Sequence, residues 1–142
     1  MPENLPWELR LTLRGGSVFY SSDRALTSSE PHYFIVVNPK PLDQQLLILT
    51  IVTSQVEKVR RRRRNLPGTT VEIGPADYDE LSVLSIVDCN VIFRRSLREL
   101  VEKIERREVI SKSDVPAKVL AAIRTALLAS PLIETEIKDL LR

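Results

Sequence analysis

The spacing of the apolar residues changes once along this chain, near residue 96, and this change limits the folds open to it. Before residue 96, apolar residues occur in short runs rich in β-branched and aromatic side chains, bounded by Gly, Pro, Ser and Asp, a pattern typical of β-strands. The runs predict strands at residues 16–20, 33–38, 46–53, 69–73, 82–89 and 91–93. Because closure removes exposed strand edges, such short strands with frequent turns favour a small barrel over an open sheet. The nearly continuous apolar run at 46–52 predicts a central strand covered on both faces.

From Ser96 onward the apolar residues follow a helical period. Ser96 and Glu99 have the spacing of a capping box, in which each side chain satisfies a free backbone N–H at a helix start. The apolar side chains that follow share one face, at Leu97, Leu100, Val101 and Ile104. We expect this helix to end near Arg107 and to pack on the barrel through that face.

A second helix is predicted to follow the sequence "SDVP". Ser113 or Asp114 can cap it, and Pro116 fits its first turn. Its apolar stripe consists of Val119, Leu120, Ile123 and Leu127. Ser130-Pro131 ends it, and the segment 133–142 predicts either a short third helix or a loosely attached tail.

The length and composition fit one domain. The chain has 142 residues, of which 43% are hydrophobic, so it can bury a core without disulfides or metals. We expect a single domain over residues 1–142, with an N-terminal extension (1–15), a β-barrel (16–93) and C-terminal helices (96–142). Cys89 is the single cysteine, which excludes an intramolecular disulfide and predicts a reducing compartment. No segment has the ~18–20 apolar residues that span a bilayer, so we expect a soluble cytoplasmic protein.

Five consecutive arginines are the most unusual charged feature of the sequence: Arg60, Arg61, Arg62, Arg63 and Arg64. The whole chain carries a formal net charge of only +2, so its basicity is local. Because like charges repel one another, we expect the run on an exposed loop. There it could bind phosphates without reading sequence, receive an acidic partner segment, or simply be solvated.

The order of these segments resembles the MazF/PemK family of toxin ribonucleases from toxin–antitoxin modules. The likeness covers residues 15–131 and is strongest at "LLILTIVTSQ", "NLPGTTVEI" and "SVLSIVDCNVIFRRSLREL". It implies an SH3-like barrel of five to seven strands with a C-terminal helix, a homodimer, and cleavage of single-stranded RNA without a metal or other cofactor. It also implies an acidic antitoxin as a partner, whose tail the arginines could receive.

The resemblance places the family's strand-end hydroxyl, which contacts the scissile phosphate, at Thr53, followed by Ser54 and Gln55. The family's loop arginine should fall near residues 31–33, where the sequence reads "SSEPHYFIVV" and contains no arginine.

Other residues of this loop offer substitutes for the missing group. His32, the single histidine, can act as a base or an acid near neutral pH. Arg24 is a candidate replacement cation, and Glu30 is a further candidate base. Cys89 lies in an apolar strand, where a buried, unreactive thiol is the usual case. Aromatic residues make up only 5% of the chain, so stacking of bases on Trp7, Phe19, Tyr20, Tyr33 and Tyr78 is not a predicted binding mode.

Three functions remain open at this point. The first is a MazF/PemK-like endoribonuclease toxin. The second is a degenerate member of the same fold that binds nucleic acid or an antitoxin without cutting, which the missing arginine favours. The third is a CcdB-like toxin, which has the same fold and targets gyrase through its C-terminal helix. The apolar sequence "AKVLAAIRTALLASPLI" predicts a buried helix and disfavours the third.

Overall fold

A seven-stranded antiparallel sheet forms the centre of the computed structural model, which describes residues 6–23 and 30–142. The strands are β1 (Val18–Ser21), β2 (His32–Val36), β3 (Leu46–Thr53), β4 (Thr70–Ile73), β5 (Ser85–Asp88), β6 (Phe93–Ser96) and β7 (Val109–Lys112). Their order is β4-β5-β3-β2-β1-β7, and β6 pairs with the other part of β3.

The sheet is open, whereas the short strands predicted a closed barrel. Strand β7, which the sequence did not predict, pairs with the outer edge of β1. In a closed barrel, that edge of β1 would pair with the strand at the other end of the sheet. Within the described ranges, β4 and β7 are therefore the two ends of this strand order, and β6, which pairs only with β3, is a further edge strand. The strand predicted at 91–93 lies further toward the C-terminus in the structure, where β6 begins at Phe93 and ends at Ser96.

Six helices occur in the described part of the chain: α1 (Trp7–Thr12), α2 (Pro41–Gln44), α3 (Val56–Arg62), α4 (Leu97–Glu105), α5 (Ala117–Ala129) and α6 (Thr135–Leu141). The predicted capping box starts α4, since Ser96 Oγ accepts the N–H of Glu99 and the Glu99 carboxylate accepts the N–H of Ser96. The predicted side-chain cap of α5 is wrong. Pro116 occupies that position, and Asp114 instead forms an ion pair with Arg14 at 2.7 Å.

Helices cover both faces of the sheet. On one face, here the α4 face, the apolar residues of α4 and α1 pack against Phe19, Phe34, Leu47 and Leu49. On the other, here the α5 face, helices α5 and α6 pack against Val18, Ile35, Ile48 and Val52. Strand β3 is thus central and covered on both sides, as predicted. The short third helix is confirmed as α6, which buries Ile137 and Leu141.

None of the helices in the described ranges is long and apolar enough to cross a membrane.

Candidate nucleic-acid interface

Three polar side chains form a row across the ends of neighbouring strands. Ser21 pairs with His32, and His32 lies one residue beyond the last β2–β3 pair, Tyr33–Val52, which brings it beside Thr53. Residues opposite one another in adjacent strands share a face of the sheet. Because Ile51, two residues before Thr53, packs in the core beneath α4, this strand-end row (Ser21, His32 and Thr53) lies on the α4 face.

The ring of His32 is oriented by its own loop. Its Nδ1 atom lies 2.9 Å from the backbone oxygen of Glu30. Because a carbonyl oxygen can only accept, this contact needs a hydrogen on Nδ1, and the neutral ring then has its lone pair on Nε2. The half-buried imidazole therefore presents a basic nitrogen. Of the other two candidates in this loop, Glu30 is exposed. Arg24 lies outside the described residues.

The hydroxyl of Thr53 is positioned by the turn that follows β3. Its Oγ1 atom accepts the backbone N–H of Gln55 at 3.2 Å. Because that bond uses an oxygen lone pair, the hydroxyl hydrogen can still be donated. Ser54 and Gln55 are both exposed beside it.

Helix α3 stands next to this row and carries most of the arginine run. It packs on the sheet through Val56 and Val59, which contact the buried Ile86. Ile86 is the cross-strand neighbour of Thr53, so the helix covers the α4 face directly beside the row. The expectation that the run lies on a loop is therefore wrong for Arg60, Arg61 and Arg62, which are helical.

Ion pairs reduce the repulsion between the arginines of helix α3, here called the basic helix. Arg60 donates to Glu57 and, at 2.9 Å, to Glu72, and this guanidinium lowers the pKa of the Glu72 carboxyl. Arg63 donates from Nε to both carboxylate oxygens of Asp88 at 2.9 and 3.1 Å. Two of the five cations are thus neutralised, which reduces the repulsion within the run.

The remaining arginines of the run point outward. Arg61, Arg62 and Arg64 are exposed and form no ion pair with any residue of the described ranges. They are available for an anionic ligand.

Helix α4 provides the opposite side of the site. Lys103 Nζ donates to the backbone oxygen of Ser22 at 2.8 Å and lies 3.4 Å from Ser21 Oγ. Arg95 forms a two-bond ion pair with the mostly buried carboxylate of Asp23, at 2.5 and 3.1 Å. The strand-end row therefore lies between α4 and the basic helix, and we call this region of the α4 face the groove. Because adjacent strands are about 4.8 Å apart, the region spans about 14 Å of the sheet from β1 to β5.

The aromatic residues and the cysteine contribute little to this groove. Tyr20 and Tyr33 pair with each other in the next row of the sheet and so lie on the α5 face. Phe19 is buried, and Tyr78 donates to the backbone oxygen of Ser113. Cys89 is fully buried, as expected, and burial raises its pKa to about 12, so the thiol stays protonated at neutral pH.

No cluster of three or more His, Cys, Asp or Glu side chains that could hold a metal ion occurs within residues 6–23 and 30–142.

Sequence reasoning does not predict the contact between Lys103 and Ser21. These residues are separated by 82 positions, and only the packing of α4 on β1 brings them together. No local motif marks either residue.

This architecture, an open antiparallel sheet followed by C-terminal helices, belongs to the class of small α+β folds. The chain has the MazF-like toxin fold. The MazE–MazF complex (Form-III) from Deinococcus radiodurans matches with a TM-score of 0.53 and 16% identity, over 80% of this chain and 91% of that one. An endoribonuclease in complex with its cognate antitoxin, from a mycobacterial species, matches with a TM-score of 0.50 and 16% identity, over 81% and 90%. No protein-family model and no curated protein matches the sequence.

Proposed function

We propose that this chain is a MazF-like toxin of a toxin–antitoxin module and cleaves single-stranded RNA without a metal ion. The observation that carries the proposal is the strand-end groove, where Thr53 and His32 lie side by side next to three arginines that form no ion pair within residues 6–23 and 30–142. The two similar structures support it, because one is a MazE–MazF complex and the other is an endoribonuclease with its antitoxin.

The groove has the groups for cleavage by the RNA's own 2′-hydroxyl. His32 Nε2 takes the 2′-hydroxyl proton, the 2′ oxygen bonds to phosphorus, and the P–O5′ bond breaks. The departing 5′ oxygen takes a proton from water, and the resulting hydroxide takes the proton held by His32. Thr53 donates its hydroxyl hydrogen to a non-bridging oxygen as negative charge builds there. Glu30 and Arg24 stay candidates for assisting roles in the same loop.

We propose that Arg61, Arg62 and Arg64 hold the phosphates that flank the scissile bond. Replacing all three by glutamine should weaken binding of single-stranded RNA at least tenfold at about 0.1 M salt. The slope of log affinity against log salt should become shallower by about 2, since fewer counterions are released from a single strand. Fluorescence anisotropy across a salt series measures both quantities. Stability should change little, because exposed charges contribute little to it.

The matched control is the triple variant Lys40→Gln, Arg98→Gln and Lys118→Gln. These three side chains are also exposed and form no ion pair among the described residues, so the variant loses the same charge outside the basic helix. It should bind RNA with nearly the parent's salt slope. Equal weakening by both triple variants would show that net charge, and not the basic helix, governs binding.

A second candidate function is binding without cleavage. The observation that favours it is the absence of an arginine at residues 31–33, where the family resemblance expects one. Binding without product formation by the wild type would support this function. The CcdB-like function is less favoured, because α5 buries Val119, Ile123, Ala126 and Leu127 against the sheet.

We propose an acidic antitoxin as one partner of the chain, and it would compete with RNA for the basic helix.

We propose a second copy of the chain as another partner. Edge strand β7 and the start of the α5–α6 turn leave apolar side chains uncovered, with Ile110 59% and Leu132 55% exposed. Sedimentation at micromolar concentration should give the mass of two chains. A single-chain mass at that concentration would contradict the dimer.

A further inference from the structure

We propose that Lys103 is a catalytic residue that places a positive charge on the scissile phosphate. The proposal rests on the ribonuclease function above and adds to it the cation that residues 31–33 do not provide.

The position of the ammonium group is the first argument. Lys103 Nζ lies 3.4 Å from Ser21 Oγ, and Ser21 is the cross-strand partner of His32. Since paired side chains have Cβ atoms about 4.5–5.5 Å apart, the ammonium and the imidazole belong to neighbouring positions on the same face of the sheet. A nucleotide bound there can present its 2′-hydroxyl to Nε2 of His32 and a non-bridging phosphate oxygen to the ammonium.

The charge balance of helix α4 is the second argument. Arg95, in β6 just before the helix, is neutralised by Asp23, and its Nε atom lies 3.9 Å from a carboxylate oxygen of Glu99. Lys103, in contrast, forms no ion pair with any residue of the described ranges and contacts only the neutral oxygens of Ser21 and Ser22. An ammonium has three hydrogens, so at least one is left for an incoming anion. Because Lys103 is half-buried, its field is screened less than that of an exposed lysine.

The role in the reaction follows from these two features. Lys103 transfers no proton. It donates a hydrogen bond to a non-bridging oxygen while the 2′ oxygen attacks and the P–O5′ bond breaks, and it stabilises the extra negative charge of the phosphorane. The basic helix on the other side of the groove holds flanking phosphates, so the two groups of cations have different tasks.

The test compares Lys103→Met and Lys103→Arg with the wild type, using an RNA and its analogue with a 2′-deoxy residue at the cleavage position. We expect Lys103→Met to lower kcat about a hundredfold, the effect of removing one transition-state donor, while the Kd for the analogue changes less than threefold. Lys103→Arg should retain most of the activity. Arg98→Gln, an exposed change on the same helix, should be neutral.

A phosphorothioate at the cleavage position separates catalysis from support of the loop. Sulfur is a poorer hydrogen-bond acceptor than oxygen, so it should slow the wild type more than it slows Lys103→Met. If the sulfur effect is equal in both enzymes, or if Lys103→Arg is as inactive as Lys103→Met, Lys103 only positions Ser22 and the proposal is overturned. A Lys103→Met enzyme as fast as the wild type overturns it while leaving the ribonuclease function standing. A wild type that binds RNA without cutting it overturns both.

Discussion

Replacing Thr53 by valine together with His32 by alanine should lower the rate of RNA cleavage about a thousandfold or more. A positioned base contributes about 10²–10⁴-fold, and one hydrogen-bond donor to the transition state about 10²–10³-fold. The Kd for single-stranded RNA should stay within about threefold, because the phosphates are held mainly by the basic helix. Single-turnover cleavage and anisotropy measurements on the same samples separate the two effects.

Thr50→Val is the matched control for this variant. Thr50 lies in the same strand but is fully buried, and its Oγ1 has no hydrogen-bond partner within the described residues. Removing an unsatisfied buried hydroxyl should leave cleavage unchanged and stability unchanged or slightly higher. Cleavage by the Thr53/His32 double variant at more than a tenth of the parent rate would remove these two residues from the active site.

Replacing Arg63 by methionine should destabilise the protein by about 3 kcal/mol, since it leaves the carboxylate of Asp88 buried without its cation. The side chains of this pair are only 16% and 9% exposed, and Asp88 Oδ1 also accepts from the side chain of Asn90. Asn90 in turn accepts from Ser130 at the end of α5. Urea unfolding should show a lower midpoint with an unchanged m-value.

Two further variants test whether the loss of stability in Arg63→Met comes from the broken ion pair with Asp88. Arg64→Met changes an exposed neighbour of the same size and should cost less than about 0.5 kcal/mol. Adding Asp88→Asn to Arg63→Met removes the uncompensated charge and should recover part of the lost stability. Equal stability of Arg63→Met and Arg64→Met would mean that the ion pair with Asp88 contributes nothing to holding the basic helix.

Local patterns predicted the elements whose signals lie within a few residues. Strand β3 occupies the predicted residues 46–53, and the Ser96–Glu99 capping box starts α4 where the sequence predicted it. The same apolar run predicts that Thr53 lies at the end of a strand. Each of these features is set by side chains that are neighbours in sequence.

Features that depend on distant residues could not be predicted in this way. Strand β7 exists because β1 provides its partner, and the four-residue segment has no strong signal of its own. Arg60, Arg61 and Arg62 are helical, and Glu72 and Asp88, on other strands, neutralise two members of the run. The contact of Lys103 with Ser21 likewise depends on how α4 packs across the sheet.

The measurement that tests the central claim most directly is incubation of the purified wild-type chain with end-labelled single-stranded RNA in the presence of EDTA. The groove chemistry predicts fragments whose 3′ ends carry a 2′,3′-cyclic phosphate, formed without a metal ion and absent when the Thr53/His32 double variant replaces the wild type. RNA that stays intact while bound to the wild-type chain, or cleavage that stops when EDTA is added, would contradict it.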